Sequence, residues 1–271
     1  MSSSSTSFPL ELNVHVLLGD APHYRGSIHD DAVARERGYK AALVPGAFVY
    51  GHISRLAINA WGQDWAAHGA MSTRFRRPVY NHENITVSAG PLQDDGYVDK
   101  AMVVVLNDEA ELVAEGWIAL PHLTPEPPAE SAVPLLPTLD DPPVIEAGGL
   151  RADLPLRSRE RALTQEAFET SLADFGESHA IYRNPGFVHS GMLMRLAMGD
   201  TNSTWKLPGP FVLVSTETQH FALVRPGQHI RIGGQVVETF ERKGRQYLVT
   251  EEYLFADGTI AARFRRTQIY G

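Results

Sequence analysis

The chain has 271 residues, is 43% hydrophobic and 21% charged, and carries a net charge of −8. Those are the proportions of a globular protein long enough for two units, each with its own core. The acidic balance argues against a nucleic-acid partner, because phosphate binding needs a clustered basic surface. Cysteine is absent, which excludes disulfides, thiolate nucleophiles and Cys-based metal sites, and makes a reducing, cytoplasmic setting the simplest expectation.

In chain order, a Ser-rich tail (Met1 to Ser7) comes first, with no basic region or apolar stretch behind it. It reads as a frayed start rather than a signal peptide. No run of eighteen apolar residues occurs, so no membrane-spanning helix is expected. A His29-Asp30-Asp31 triplet precedes Val44-Pro45-Gly46, which leads into a predicted helix over Ala47 to Trp61. There Phe48, Ile53, Leu56, Ala57 and Ala60 recur at helical spacing. Strands are predicted over Met71–Tyr80, Ile85–Leu92, Tyr97–Leu106 and Leu112–Leu120, with Asp94-Asp95-Gly96 marking a turn. From Leu123 to Leu150 the chain carries seven prolines and a Gly-Gly pair, and reads as an extended linker. Beyond it, His189-Ser190-Gly191 leads into a helix over Met192–Met198. Strands over Phe211–Val224, His229–Phe240, Gln246–Phe255 and Thr259–Ile269 follow.

The order of elements therefore repeats. Phe75 to Ile85 (FRRPVYNHENI) is similar to Phe221 to Ile230 (FALVRPGQHI), with a Phe, a Pro and an Ile at nearly the same offsets. Self-similarity over this length implies duplication of a whole unit rather than a solenoid. A long buried helix followed by antiparallel strands predicts an α+β class with the sheet wrapped around the helix. The units are bounded at 8–122 and 151–271, with the linker at 123–150. Pairing their open sheet edges gives a reason for their fusion.

The segment Ile28 to Gly46 (IHDDAVARERGYKAALVPG) resembles the stretch between the active-site His and the central helix of MaoC-like (R)-specific enoyl-thioester hydratases. RFRRPVYNHENITV resembles their strand motif, and NPGFVHSGM with HFALVRPGQHIRI repeats both features in the second half. The resemblance covers nearly all the chain outside tail and linker. It implies a tandem, or double, hotdog fold. In that family an Asp and a His hold a water and move it across the double bond beside a thioester carbonyl. Backbone donors at the helix start hold the carbonyl oxygen as charge develops.

The resemblance makes His29 the expected base. Five positions earlier, where the family has its Asp, stands Tyr24, and the motif's Asn and Pro positions hold Gly26 and Ser27. Asp20 would substitute only if the loop carries an insertion. Asp30 and Asp31 each have two readings: a carboxylate that replaces the missing Asp, or an acidic residue favouring the dipole of a short helix by ~0.3–1 kcal/mol. Adjacent helical residues do not share a face, so at most one points into the pocket. Tyr24 is a further candidate for moving a proton, against a plain packing role, and Arg25 shares its loop. Gly46 is expected where a substrate carbonyl approaches backbone closely. Arg76, within Arg74, Arg76 and Arg77, reads either as an anion contact or as the solvated face of a strand. In the second half His179, Tyr182, Asn184 and His189 surround the start of the helix, but the loop is about five residues shorter and offers no duplicate site. His189 is a candidate substrate contact or a packing histidine.

No metal-ligand spacing, phosphate loop or nucleophile elbow is present, so no metal and no cofactor is expected. The resulting expectation is a hydratase or dehydratase acting on a small-molecule acyl substrate, carried by CoA, by a carrier protein or by neither. The alternatives are a thioesterase using Asp31, a non-catalytic acyl-binding subunit, and a natural-product dehydratase. A membrane partner is not expected. A fused pair can stay monomeric or form a homodimer through its sheet.

Overall fold

The structure is a computed structural model that describes residues 8–19, 24–146, 148–183, 186–207, 209 and 211–270. The Ser-rich start, Asp20 and Asn184 lie outside the described residues. In the first half, β1 (Leu10–His15) and the short α1 (Asp31–Glu36) precede the central helix α2 (Gly46–His68). Then come β2 (Ala70–Phe75), β3 (Asn84–Ala89), the two-residue β4 (Gln93–Asp94), β5 (Val98–Asn107) and β6 (Leu112–Pro121). Short strands β7 (Leu136–Pro137), β8 (Arg157–Ser158) and β9 (Arg161–Ala162) lead into the second half. It continues with α3 (Gln165–Asp174), α4 (Ser190–Asn202), β10 (Val212–His220), β11 (His229–Arg242), β12 (Arg245–Ala256) and β13 (Thr259–Tyr270).

The helix expected from Ala47 begins at Gly46 and runs past Trp61 to His68. It breaks at Gly62, whose φ of 56° and ψ of −133° suit a residue without Cβ. Over its first turns it is buried on nearly every side: Phe48, Tyr50, Ile53, Leu56 and Ala57 are all enclosed. A helix buried all round is one that a sheet surrounds, and each large apolar side chain there contributes about 1.5–3 kcal/mol by leaving water. The expected strands are all present, although the first stops at Phe75 rather than Tyr80, the second at Ala89 rather than Leu92 and the fifth at His220 rather than Val224. Pro78, which has no N–H to pair, follows shortly after Phe75.

One sheet spans the molecule in the order β1-β3-β5-β6-β2-β10-β13-β12-β11-β9. Its halves join where β2 and β10 pair antiparallel, with Thr73 opposite Thr216. Inside it α2 meets α4 at two glycines. A Cβ on Gly191 would lie 3.1 Å from Gly51 Cα and 2.5 Å from the Phe175 ring. Phe175, at the end of α3, stacks on Phe48 with centroids 4.4 Å apart, so a second-half ring closes the core of the first.

Among the strands and α-helices longer than two residues, β1 and α3 were not anticipated. β1 has a legible Leu10, Leu12, Val14 alternation, but it is an edge strand held only by β3. α3 is capped by Thr164, whose hydroxyl accepts from Ala167 N at 3.1 Å. The Pro-rich stretch lies on the second half: Val133 packs with Phe255 and Ile260, and Gly234 donates to Pro134 O at 2.7 Å. Farther on, Leu150 is buried beside Trp205, Val236, Leu248 and Tyr270. Few of its backbone groups are paired in strands, which suits a proline-rich chain lying on a sheet face.

Candidate active site

The loop before α1 is held by backbone turns and by its own short polar side chains, Ser27 Oγ donating to Tyr24 O at 2.7 Å and accepting from His29 N at 3.1 Å. Ser27 and Asp30 close successive turns (Ser27 N to Tyr24 O, 3.1 Å; Asp30 N to Ser27 O, 3.0 Å), and Gly26 takes a φ of 75°. Asp30 is the N-cap of α1, accepting from Ala32 N at 2.9 Å and from Gly26 N at 3.2 Å. These backbone donors hold its carboxyl below its usual range. Asp31 accepts from Ala42 N at 2.6 Å and pairs with Arg35 at 3.3 Å. Both carboxylates therefore hold backbone in place, and neither lines the cleft described below.

The segment leading to α2 is gripped on both sides. Leu43 N donates to Ile28 O at 3.0 Å, and Val44 N donates to Val79 O at 2.8 Å. The Leu43 carbonyl accepts from His29 Nδ1 at 2.6 Å. A carbonyl can only accept, so Nδ1 carries a proton, and in the neutral ring Nε2 holds the basic lone pair. His29 is thus anchored three residues before the first residue of α2.

Tyr24 stands edge-on to His29, with centroids 5.5 Å apart. Burial raises its phenol pKa, opposed by the Arg195 guanidinium beside it. Arg195 pairs with Asp174 at 2.6 Å and lies over the Phe175 ring at 5.2 Å, so Tyr24 ties the His29 loop to the second half. Arg25 is exposed, close enough to Asp30 to lower its pKa further.

His29 and Ile28 form one wall of a cleft of about 470 Å³. Leu43 to Gly46, Val49 and Phe75 continue it, and Met198, Asn202, Leu213, Val214, Tyr247 and Ile269 of the second half face them. At α2 the N-cap is Pro45, which makes no side-chain capping bond, and Phe48 N is taken by Pro45 O at 2.9 Å, so it is at Gly46 that the positive end of the helix dipole borders the cleft. A Cβ on Gly46 would come within 3.0 Å of Leu213 Cδ2 and 3.5 Å of Phe75 Cε1. Exposed Arg76, Arg77 and Arg245 also border the cleft. Arg76 pairs with Glu115 through Nε at 2.8 Å, and Arg77 with Glu111 at 3.4 Å.

The structure brings His29, Gly46 and Arg76 to one cleft and leaves Tyr24, Arg25, Asp30, Asp31 and His189 off its lining. His189 is buried as the N-cap of α4: Nδ1 accepts from Met192 N at 3.3 Å and Nε2 meets Ser171 Oγ at 2.9 Å. Burial, assisted by Arg195 and Arg55, pushes its pKa down to about 3, so it is neutral. His179 caps the turn Ala180–Tyr182 through Nδ1, at 3.1 Å from Ile181 N. Sequence reasoning missed the second-half wall. Only the β2–β10 junction brings Leu213 and Val214 to Gly46, and no local motif encodes that. A larger depression of about 680 Å³ lies beside α3, Tyr182 and Arg225. It lacks a histidine and the start of a central helix, so the His29 cleft is the better chemical candidate.

No protein-family model matches the sequence, and no curated protein matches it. Solved structures do resemble it. One, described as a double-hotdog conserved hypothetical protein of Mycobacterium tuberculosis, aligns with a TM-score of 0.67 at 15% identity, over 100% of this chain and 97% of its own. Another, described as a MaoC domain protein dehydratase of Chloroflexus aurantiacus, gives 0.62 at 14% identity, over 97% and 95%. A third, described as an oleoyl thioesterase of Lactobacillus plantarum, gives 0.53 at 8% identity, over 98% of each chain. At these identities the likeness is one of fold, and it agrees with the sheet and paired helices seen here: the chain is an α+β double hotdog whose structural neighbours include MaoC-like dehydratases.

Proposed function

We propose that the chain is a hydro-lyase adding or removing water at an α,β-unsaturated or β-hydroxy acyl thioester. The observation that carries this reading is the anchoring of His29 Nδ1 on the Leu43 carbonyl, with Gly46 opening α2 in the same cleft. In hydration, Nε2 takes a proton from water as the water oxygen bonds to the β-carbon. The π electrons move towards the thioester carbonyl, whose oxygen gains charge against the backbone N–H groups at the start of α2. The imidazolium then delivers its proton to the α-carbon and the carbonyl reforms. Dehydration is the reverse: Nε2 removes the α-proton and hands it to the departing hydroxide. One histidine serves as both base and acid, which suits a loop whose two carboxylates are engaged in holding backbone.

A phosphate-bearing carrier such as CoA would meet Arg245 at the border of the cleft, and would have to displace Glu115 and Glu111 to reach Arg76 and Arg77. A thioesterase is the second reading because one neighbour of the same fold is described as such. The Asp31 it would use is bonded to Ala42 N and Arg35 instead. Loss of enoyl absorbance from a panel of enoyl-CoAs tests the first reading. Thiol release without that loss would support the second, and binding without either would support a non-catalytic subunit.

A further inference from the structure

The last turn of α4 is held from behind by buried polar side chains. Arg266 and Glu252 are both fully buried and form an ion pair. Thr201, on α4, donates to the same carboxylate at 2.8 Å, and Thr250 donates to it at 2.7 Å. Asn202, the last residue of α4, accepts at Oδ1 from Nε2 of the fully buried Gln268, at 3.2 Å. Burying an ion pair and a primary amide costs desolvation that an apolar core would avoid. These groups fix the end of a helix and, with it, the orientation of one side chain. Gln268 Oε1 finds no donor among the described residues. Turning that amide over would leave both of its N–H groups unmet, and a buried N–H without an acceptor is rarer than an underused carbonyl oxygen. Asn202 therefore gives its oxygen to Gln268 and keeps its nitrogen for another partner.

That nitrogen opens on the His29 cleft. Asn202 lines the cleft from the second half, and its Nδ2, without a partner among the described residues, is not enclosed by protein. Met198, Leu213 and Val214, on the same wall, are apolar. In the first half Tyr24, Asp30 and Asp31 are all off the lining, the two carboxylates holding backbone N–H groups instead. The amide is thus placed to hold an oxygen that His29 alone would leave half-held. A water or hydroxyl oxygen has two lone pairs. In hydration one accepts from Nδ2 while the other bonds to the β-carbon and a proton passes to His29 Nε2. In dehydration the C–O pair returns to the oxygen, which takes the proton from His29 and leaves as water still held by Nδ2. The amide exchanges no proton in either direction.

Resting on the hydro-lyase reading above, we infer that Asn202 is a substrate-binding residue whose Nδ2 holds the β-oxygen, with Gln268 the positioning residue behind it. The test uses the whole chain and ligands that a hydro-lyase cannot turn over: butanoyl- and octanoyl-CoA, and their 3-oxo counterparts, whose β-oxygen only accepts. Calorimetry gives the affinities. At least one 3-oxo ligand should bind the parent about fivefold or more tighter than its plain counterpart, the scale of one added hydrogen bond. Asn202→Asp keeps the shape and an acceptor for Gln268 Nε2 but loses the donor, so the preference should vanish while the plain ligands still bind. A merely structural role for Asn202 would leave the preference unmoved. Asn202→Leu should remove it too, and covers the case in which the first variant does not fold. Gln268→Leu should weaken the preference, and an undiminished preference there would overturn the role of Gln268. Equal or weaker binding of both 3-oxo ligands to the parent, or a preference unchanged in both Asn202 variants, would overturn the inference and leave the acyl site standing. Absence of binding by every acyl-CoA would overturn the acyl-site reading and the inference with it.

Discussion

His29 Nδ1 lies 2.6 Å from the carbonyl oxygen of Leu43, so the loop carrying the histidine is fastened to the segment that starts the central helix. This contact fixes the tautomer and dictates which nitrogen serves as base. In neutral solution, long-range nitrogen–proton correlation spectra of ¹⁵N-histidine-labelled protein should show His29 with Nδ1 protonated and Nε2 bare. The opposite tautomer would remove the proposed base from the cleft.

Gly46→Ala adds a Cβ about 3.0 Å from Leu213 Cδ2, beside the helix start against which the thioester oxygen is proposed to sit. The neighbour is a flexible side-chain end, so the fold should tolerate the change with a melting shift of about 2–4 °C. Ala keeps the backbone N–H, so turnover should drop by up to about 10²-fold only as far as the methyl displaces the carbonyl from its donors. A fall in stability with unchanged turnover would place the carbonyl elsewhere.

Asp31 separates a positioning role from a catalytic one. Asp31→Asn keeps an oxygen able to accept from Ala42 N (2.6 Å in the parent) but removes the carboxylate charge. Activity should stay within about threefold of the parent, whereas Asp31→Ala, which releases Ala42, should lower both turnover and melting temperature. The loss of one such hydrogen bond is worth about 0.5–1.5 kcal/mol. Abolition of turnover by the Asn variant would make Asp31 a catalytic carboxylate and revive the thioesterase reading.

Gly191→Ala places a Cβ 3.1 Å from the backbone of Gly51 and 2.5 Å from the Phe175 ring. Backbone cannot give way as a side-chain tip does, so chemical denaturation should show a loss of about 1–3 kcal/mol. An unchanged midpoint would mean that α2 and α4 can separate without cost.

Three buried histidines set an acid limit. Burial lowers His52 and His189 to about 3 and His220 to about 4, from an ordinary value near 6.5. Between roughly pH 6.5 and 3 the unfolded chain binds protons that the folded chain does not. Their stabilising contribution is therefore complete above pH 6.5 and lost as pH falls through that window. Near pH 5 the histidines together should give a slope of up to about 4 kcal/mol per pH unit, at about 1.4 kcal/mol per proton. Denaturation midpoints measured from pH 7 to pH 4.5 should follow it, and His52→Gln should reduce the slope by about a third. A slope unaffected by that substitution would contradict a neutral, buried His52.

Helical spacing from Phe48 to Ala60 and strand-like runs between turn signals made the first central helix and most strands legible, because each is a local pattern. β1 was readable in Leu10, Leu12 and Val14 but is short and lies at an edge. α3 carries only Phe168 and Ser171 into the core, too little to mark a buried face. For the site, the resemblance drew attention to His29 and Gly46, yet the Leu43 contact joins residues fourteen apart and Leu213 arrives from the other half. The duties of Asp30 and Asp31 could not be chosen from residue type, since a carboxylate that caps a helix and one that moves a proton look the same in sequence.

The most direct test is the enoyl absorbance of a panel of enoyl-CoAs, short, long and aromatic, incubated with the parent protein and with His29→Ala, both checked for native melting. The account predicts that at least one substrate loses absorbance with the parent, and that His29→Ala slows this by about 10²-fold or more, the scale of a lost general acid–base. Equal rates in the two proteins would contradict the assignment of His29, and no absorbance change with any substrate would contradict hydro-lyase chemistry on CoA thioesters.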